Sequence, residues 1–587
     1  MKHLALLILT VFMLFVCPPV HALFSEPVEV VVTGVAGDAL TNVQSALVLP
    51  TGLVRDDRSF DSRWMDHFIS QIPAKVGRAL EPFGYFETIT STRLENHKKN
   101  NTRVLVDVKP GEPVRVATLL VEIVGPGEGN KALRGHVGSF PLIPDDVLRQ
   151  DYYEKGKAEL KATALELGFL QAEFITHEIR VNRDIRSADI KLVLDTGPQF
   201  RFGTVLMHGA PDFPEWFLKR HLSFAQGEVF SHEKLGQTQL NFLDSDRFRD
   251  VIISPLEELA QNAEVPISIQ LVPSARRRLR PGIGYGTDTG PRFSLRYKDV
   301  NLFHRAHLFE TDLLIAQWRQ SLVSTYTIPS ALNLESQTSF RLGYKAEDVD
   351  TYETRSVFAE VEQTWGFGKG RVGSVFLRLL QEDYIVSQED DRSRMVIPGI
   401  RFARRRYKDP VRPQRGYSFS LETRGAHRNL GSDISLLQVL ASGNALIKLP
   451  SRWSAFFRAE GATTVQDEPI EDVPASLRFF AGGDQSVRGY RYQSLGPKDE
   501  LGETIGGKHL AVGSIELERA LRENWGVAFF YDAGNAFNNL SKIEWAQGAG
   551  IGLRYYTQVG PVKVDVARQI GEVDPAWRLH LSVGFGW

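Results

Sequence analysis

Apolar residues alternate with polar residues or glycine along the last roughly 308 residues of the chain, from Arg280 onward. At the start of this region, Ile283 and Tyr285 alternate with Gly282 and Gly284. A period of two is typical of strands that place one face in lipid and the other in a lumen. After the first 22 residues no stretch is apolar enough for a transmembrane helix, which leaves a soluble protein or a membrane β-barrel. The alternation favours the barrel.

The length of this region predicts the number of its strands. At about nineteen residues for each strand with its loop, it accommodates about sixteen strands of about ten residues. The 50 glycines and the 10% of aromatic residues in the chain suit such a barrel. We therefore predict that residues 276–587 form a 16-stranded transmembrane β-barrel.

Residues 1–22 have the organisation of a secretory signal peptide. Lys2 precedes the apolar run Leu4–Val16, and Ala22 is the small residue expected just before a cleavage site. The run is too short to span a bilayer as an anchor. Cys17, the only cysteine, lies in this segment, so we expect a mature chain without disulfides, thiolate metal ligands or a thiol nucleophile.

The region between the signal peptide and the barrel contains an internal repeat. Gly-Tyr-Phe at 84–86 recurs as Gly-Phe-Leu at 168–170, roughly 85 residues later, and Asp-Arg-Phe at 246–248 marks a third, degenerate copy. This spacing suits one small domain per copy. The predicted α+β domains cover residues 23–112, 113–198 and 199–275.

Each copy shows the order strand, helix, helix, strand, strand. Pro73 interrupts the helical pattern of the first copy and predicts a kink or a helix boundary there. Gly168 predicts a helix C-terminus, and Ser231 a helix N-cap. A sheet with two helices on one face leaves open edges, and such edges can accept an extended partner segment by β-augmentation.

A short motif lies between predicted barrel strands, Val487-Arg488-Gly489-Tyr490. It resembles the conserved loop motif of the POTRA-plus-barrel outer-membrane proteins, which assemble other proteins in bacterial outer membranes or translocate them across. The resemblance implies that the loop folds back into the barrel and that Arg488 contacts acidic residues of the inner wall. Glu516 and Asp532 stand at the matching wall positions. The alternative is that Arg488 is an ordinary solvated loop arginine.

The final strand of the chain resembles the terminal targeting signal of outer-membrane barrels. Relatives often end in Phe, whereas this chain ends in Trp587. Gly584 and Gly586 lie on its lumen side, and Gly284 lies on the lumen side of the first barrel strand. We expect few side chains to hold these two strands together, so that the seam between them is short or frayed. The alternative is that the glycines only permit tight curvature.

Three POTRA domains joined to a sixteen-stranded barrel resemble the translocation and assembly module branch of the family. This resemblance implies a location in the bacterial outer membrane, with the POTRA domains in the periplasm. It also implies a TamB-like inner-membrane-anchored partner that binds the POTRA array, unfolded outer-membrane clients such as autotransporters, and contact with outer-membrane lipid. Two other functions stay open: a two-partner-secretion type pore for an exoprotein, and a bridge for lipid transport between the membranes.

Other classes of function find little support. Residues 502–508 have the glycine and lysine spacing of a P-loop, but His509 follows in place of Ser or Thr, and no helix is predicted there. The formal net charge of −2 argues against nucleic-acid binding. We expect no enzymatic activity, cofactor or metal. Arg276, Arg277, Arg278 and Arg280 lie where the POTRA array should meet the membrane, and there they contact lipid headgroups or belong to a solvated junction.

Overall fold

The computed structural model describes residues 28–49, 62–97, 101–331, 333–407, 415–557 and 560–583. The predicted signal peptide with Cys17 lies outside these ranges. So do Gly584, Gly586 and Trp587 of the predicted terminal strand.

The first domain has a three-stranded sheet in the order β1-β3-β2, in which β1 runs parallel to β3 and β2 antiparallel. Its second helix continues through Pro73, so of the two predicted outcomes, a kink or a helix boundary, the boundary was wrong. That helix buries Phe68, Ile72 and Val76 against the sheet. Each buried side chain contributes about 1.5–3 kcal/mol, which offsets the cost of a proline within a helix. The elements are β1 Val28–Thr33, α1 Gly37–Ala46, α2 Ser62–Leu80, β2 Ile89–His97 and β3 Asn101–Lys109.

The second domain repeats this arrangement, with the sheet order β4-β6-β5. Its longer helix ends at Glu166, and Gly168 follows with a φ of 86°, a left-handed conformation that favours glycine. Asn130 caps the shorter helix by accepting hydrogen bonds from two backbone amides. The elements are β4 Arg115–Val124, α3 Lys131–Gly138, α4 Gln150–Glu166, β5 Glu173–Asn182 and β6 Ser187–Asp195.

The third domain has the sheet order β7-β9-β8. The Ser231 hydroxyl accepts a hydrogen bond from the Lys234 amide at 3.4 Å, as expected of the predicted N-cap. The order of helices and strands is therefore the same in all three domains, as predicted. None of the helices among the described residues combines the length and hydropathy of a membrane span. The elements are β7 Arg201–His208, α5 Glu215–Lys219, α6 His232–Asp244, β8 Phe248–Pro255 and β9 Glu264–Pro273.

The rest of the chain forms a closed barrel of sixteen strands, which confirms the predicted number. Each strand pairs antiparallel with its neighbours in sequence, and the last pairs with the first. The strands are β10 Arg277–Gly286, β11 Gly290–Leu302, β12 His307–Ala316, β13 Arg319–Pro329, β14 Gln337–Val349, β15 Tyr352–Gly366, β16 Arg371–Val386, β17 Glu389–Tyr407, β18 Gly416–Ala426, β19 Leu436–Lys448, β20 Trp453–Gln466, β21 His509–Ala520, β22 Trp525–Phe537, β23 Ala546–Thr557, β24 Gly560–Ile570 and β25 Trp577–Val583.

The two faces of the barrel wall differ in chemistry. Along β15, Val357 and Val361 are exposed on the outer face, whereas Ser356, Glu360 and Glu362 are buried on the inner face. Successive side chains of a strand point to opposite faces, so alternation in the sequence becomes an apolar exterior and a polar interior. The inner face is the one that meets the long loop between β20 and β21.

Candidate functional site

Residues 467–508, which we call the internal loop, connect β20 to β21 and cross the lumen. On one side, the Ser476 amide donates a hydrogen bond to Glu382 of β16 at 3.0 Å. The Tyr492 hydroxyl donates to Glu347 of β14, also at 3.0 Å. On the other side, Arg488 reaches the carboxylate of Asp532 on β22. Because these strands lie apart in the barrel, the loop occupies the lumen between them.

Arg488 is the most heavily bonded residue of the predicted motif. Its Nε and Nη2 donate to the two carboxylate oxygens of Asp532 at 2.7 and 2.9 Å, and its backbone amide donates to the same group at 3.0 Å. Its Nη1 donates to Glu516 at 2.8 Å and to Asp565 at 3.2 Å. The guanidinium also lies 3.5 Å from the ring centroid of Phe530, a cation–π contact. The structure thus brings Arg488 together with both predicted acidic residues.

Two further members of this cluster, Arg554 and Asp565, were not among the predicted partners of Arg488. Arg554 donates to Glu516 at 2.9 Å and also pairs with Asp565, so two arginines alternate with three carboxylates. The available signal for Asp565 is its alternation with the apolar Val564 and Val566 along β24. The cluster is almost completely buried, and removing one charge from such a network costs about 3–5 kcal/mol. Within the described ranges, no group of His, Cys, Asp and Glu side chains is arranged to hold a metal ion.

The backbone of the motif lies directly against the barrel wall. A Cβ on Gly548 of β23 would come within 1.9 Å of the Arg488 carbonyl oxygen, so only glycine permits this approach. The other motif residues are also held: Val487 is fully buried, the Gly489 amide donates to His580 Nε2 at 3.0 Å, and the Tyr490 hydroxyl donates to Glu572 at 3.0 Å. All four residues of the motif therefore contribute to its position.

The seam between β10 and β25 contains one register pair among the described residues, Gly286 with Ser582, whereas β10 and β11 share ten pairs. The hydrogen bond from the Thr287 amide to the Leu581 carbonyl is 3.1 Å. The Arg292 side chain donates to the Val583 carbonyl at 2.8 Å. A Cβ on Gly284 would lie 2.8 Å from Arg292 Nε, so this arginine fills the lumen side where the glycine has no side chain.

The internal loop contacts both sides of this seam. The Asp484 amide donates to the Asp288 carboxyl at 2.5 Å, and Asp288 lies in the turn that follows β10. Five residues further on, Gly489 bonds to His580 of β25. Burial, together with the nearby Asp484 carboxylate, raises the pKa of Asp288. The loop therefore bridges the first and last strands of the barrel.

Comparison with known proteins shows two matching domains. Residues 301–587 match the Omp85 superfamily domain, and residues 29–110 match the POTRA domain described as TamA domain 1. The chain is 20% identical over 436 residues to the outer membrane protein assembly factor BamA of Nitratidesulfovibrio vulgaris, an alignment that covers 71% of this chain and 53% of that protein. It is 34% identical over 110 residues to the human sorting and assembly machinery component 50 homolog, which covers 15% of this chain and 23% of that protein. The chain thus spans about half the length of the bacterial relative.

A solved structure supports the same architecture. The fold matches BamA from Haemophilus ducreyi lacking POTRA domains 1–3 with a TM-score of 0.65. The match covers 80% of this chain and 99% of that chain at 16% identity. At this identity the likeness establishes the fold, a barrel preceded by POTRA domains.

Proposed function

Because the chain belongs to the POTRA-plus-barrel outer-membrane superfamily, we propose that it is the outer-membrane subunit of a translocation and assembly module. In this function it helps β-barrel clients such as autotransporters to enter the outer membrane, without enzymatic chemistry. The observation that carries the proposal is the TamA-type first domain joined to a barrel whose seam holds one described register pair. The family relation supports a function in assembly, and the TamA-type domain supports this particular branch.

The proposed function depends on separation of β10 from β25 at the seam. Neighbouring strands inside the wall share many register pairs, up to sixteen between β16 and β17, whereas the seam shares one among the described residues. Each ladder hydrogen bond contributes about 0.5–1.5 kcal/mol, so within the described residues the seam is the junction that opens at the lowest cost. An opened seam exposes the edge of β10 to a client strand. No nucleotide is needed, since the folding of the client supplies the driving free energy.

The internal loop favours insertion through the seam over secretion through the lumen. Its contacts with β14, β16 and β22 fill the space that an exoprotein would need. The loop instead contacts Asp288, which follows β10, and His580 of β25, so separation of these two strands would break at least one of these contacts. A secretion pore would require the loop to leave both sets of contacts.

The proposed partner of the POTRA domains is a TamB-like protein anchored in the inner membrane. Each of the three sheets has two edge strands, such as β1 and β2 of the first sheet, and an edge can pair with an extended segment of another chain. We place these domains in the periplasm, where such a partner reaches them.

The test is client assembly in cells that lack this chain. An autotransporter passenger should fail to reach the surface without the chain and return when the wild-type gene is supplied, as measured by protease accessibility of intact cells. Single-channel recordings of the purified barrel should show small conductance while a client is inserted. Normal client assembly without the chain, or a wide conductance during transport, would contradict the proposal.

A further inference from the structure

A small basic cavity lies at the beginning of the barrel. It has a volume of about 60 Å³ and is lined by one acidic and four basic side chains, which together define the basic cavity: Arg278, Arg280, Arg296, Lys298 and Glu310. These residues come from β10, β11 and β12, next to the seam. The cavity belongs to none of the contacts made by the internal loop.

The charges around the basic cavity do not balance. Asp246 pairs with Arg278 at 2.5 Å and with Lys298 at 3.0 Å, and Lys298 also lies 3.2 Å from Glu310. Arg296 pairs with Asp312 at 2.5 Å. Four basic side chains therefore face three carboxylates.

Arg280 is the basic residue in excess. It is exposed, and it makes no hydrogen bond or ion pair with any residue in the described part of the chain. Its two neighbours on the strand differ in this respect, because Arg278 is paired with Asp246 and Arg277 with Asp299. One unpaired guanidinium beside a cavity of this size suits a single carboxylate, which an arginine binds through two parallel hydrogen bonds.

The position of the basic cavity indicates which anion reaches it. Leu279, Ile283 and Tyr285 of β10 are exposed on the outer face, and Ile283 is 88% exposed. Arg278 and Arg280 alternate with these residues and so lie on the opposite, lumen face. Lipid headgroups approach the outer face, whereas a polypeptide that enters from the lumen or the periplasm meets the inner one.

The register of the seam connects the cavity to a strand end. Arg280 lies six residues before Gly286, the β10 residue that pairs with β25. A strand that adds to β10 antiparallel, in the register of Gly286 with Ser582, comes opposite Arg280 about six residues after its pairing with Gly286. A client strand that ends there carries its terminal carboxylate to Arg280.

We propose that the basic cavity binds the C-terminal carboxylate of a client strand that adds to the edge of β10, an inference that rests on the proposed function. The edge supplies backbone hydrogen bonds to any extended segment. Arg280 makes the site selective for a strand that ends in a free C-terminal carboxylate. The cavity thereby sets both the register of the added strand and the preference for a final strand over an internal one.

The test uses the purified full chain in a zwitterionic detergent and a labelled ten-residue peptide of alternating apolar and polar residues that ends in Phe. The peptide is made with a free C-terminal carboxylate and as the amide, and binding is followed by fluorescence anisotropy. The acid should bind about tenfold more tightly than the amide, since a hydrogen-bonded charge pair contributes that much. Arg280→Gln should abolish the difference, and Arg280→Lys should retain part of it. Arg355→Gln, which removes an exposed arginine of β15, should leave it unchanged.

Four outcomes would overturn the proposal, three in the peptide assay and one in lipid binding. If the wild-type protein binds the acid and the amide equally, the result is compatible with strand addition to β10 but contradicts a carboxylate site. If Arg280→Gln retains the preference, another group binds the carboxylate. If neither peptide binds, the proposed client strand addition fails as well. Native mass spectrometry tests whether a lipid headgroup occupies the basic cavity. If the wild type retains phosphatidylglycerol and Arg280→Gln does not, the occupant is a headgroup and the proposal is likewise overturned.

Discussion

Arg488 and Asp532 are joined by three hydrogen bonds, two from the guanidinium and one from the Arg488 backbone amide, at distances between 2.7 and 3.0 Å. The arginine side chain is 6% exposed and the aspartate side chain is fully buried. Because the backbone is included, the contact fixes the path of the internal loop as well as the direction of one side chain. Loss of either partner breaks the buried network of charges inside the barrel and removes the anchor of the loop.

A double-mutant cycle on this pair should show strong coupling. Arg488→Ala and Asp532→Ala should each destabilise the folded barrel by about 3–5 kcal/mol, and the double variant should lose much less than the sum. The measurement is the temperature at which the folded barrel loses its fast mobility in gel electrophoresis. Arg491→Ala is the matched control, since the exposed pair of Arg491 with Asp350 contributes at most about 1 kcal/mol. Strictly additive effects would show that the pairing is not energetically coupled.

Gly548→Ala tests the position of the loop without changing any charge. The new methyl group would come within 1.9 Å of the Arg488 carbonyl oxygen, so we expect the loop to shift and the barrel to melt several degrees lower. Gly513→Ala on β21 is the control, because a Cβ there has no atom within 4 Å. Equal melting of the two variants would mean that the loop does not rest on β23.

The barrel and the loop contact were predictable from the sequence to different degrees. Alternation around Ile283 reports the lipid and lumen faces residue by residue, and the length of the region limits the strand number. The pairing of Arg488 with Glu516 and Asp532 came from the motif resemblance. Nothing local in the sequence indicates that Arg554 shares these carboxylates, because that depends on which lumen side chains of different strands come within reach.

Other features depend on tertiary packing that local signals do not report. Pro73 predicts a break in an isolated helix, but the buried face of α2 holds the helix together. The seam register, Gly286 with Ser582, follows from closure of the whole barrel. Arg280 differs from its neighbours Arg277 and Arg278 only in lacking a carboxylate partner among the described residues, and pairing of this kind is not visible in the sequence.

We expect His221 to make the third POTRA domain sensitive to acid. The ring is buried against Phe242 at a centroid distance of 4.7 Å, and its Nδ1 donates to the Phe217 carbonyl at 2.8 Å. Burial lowers the pKa of His221 to about 4, from about 6.5 in an unfolded chain. As the pH falls from 6.5 to 4, the unfolded state takes up a proton that the folded state does not, so stability decreases.

Hydrogen exchange in α5 and α6 measures this effect. Between pH 7 and pH 5, the contribution of His221 should lower the local free energy of unfolding by about 2 kcal/mol. His221→Phe should remove that part of the pH dependence, whereas the same change at the exposed His208 should not. An unaltered pH dependence in His221→Phe would show that His221 does not titrate as described.

Removal of the first two POTRA domains should separate partner binding from barrel folding. A chain that lacks residues 23–195 should still insert as a folded barrel, since the sheets of these domains are complete in themselves. It should no longer co-purify with the proposed TamB-like partner. Co-purification at full yield would place the partner's binding site elsewhere.

A reversible bond across the seam tests the central claim most directly. Gly286→Cys and Ser582→Cys introduce cysteines at the one described register pair, and the only native cysteine, Cys17, lies in the predicted signal peptide. The control is Ser420→Cys with Ser442→Cys, a directly opposed pair between β18 and β19 inside the wall. Both pairs place opposed side chains near the separation that a disulfide requires.

Autotransporter insertion into outer-membrane vesicles is then measured under oxidising conditions and again after addition of reductant. If the barrel works by parting β10 from β25, the seam disulfide should stop insertion and reductant should restore it, while the control disulfide leaves the rate unchanged. Insertion at the normal rate through a barrel whose seam is fully crosslinked would contradict this account.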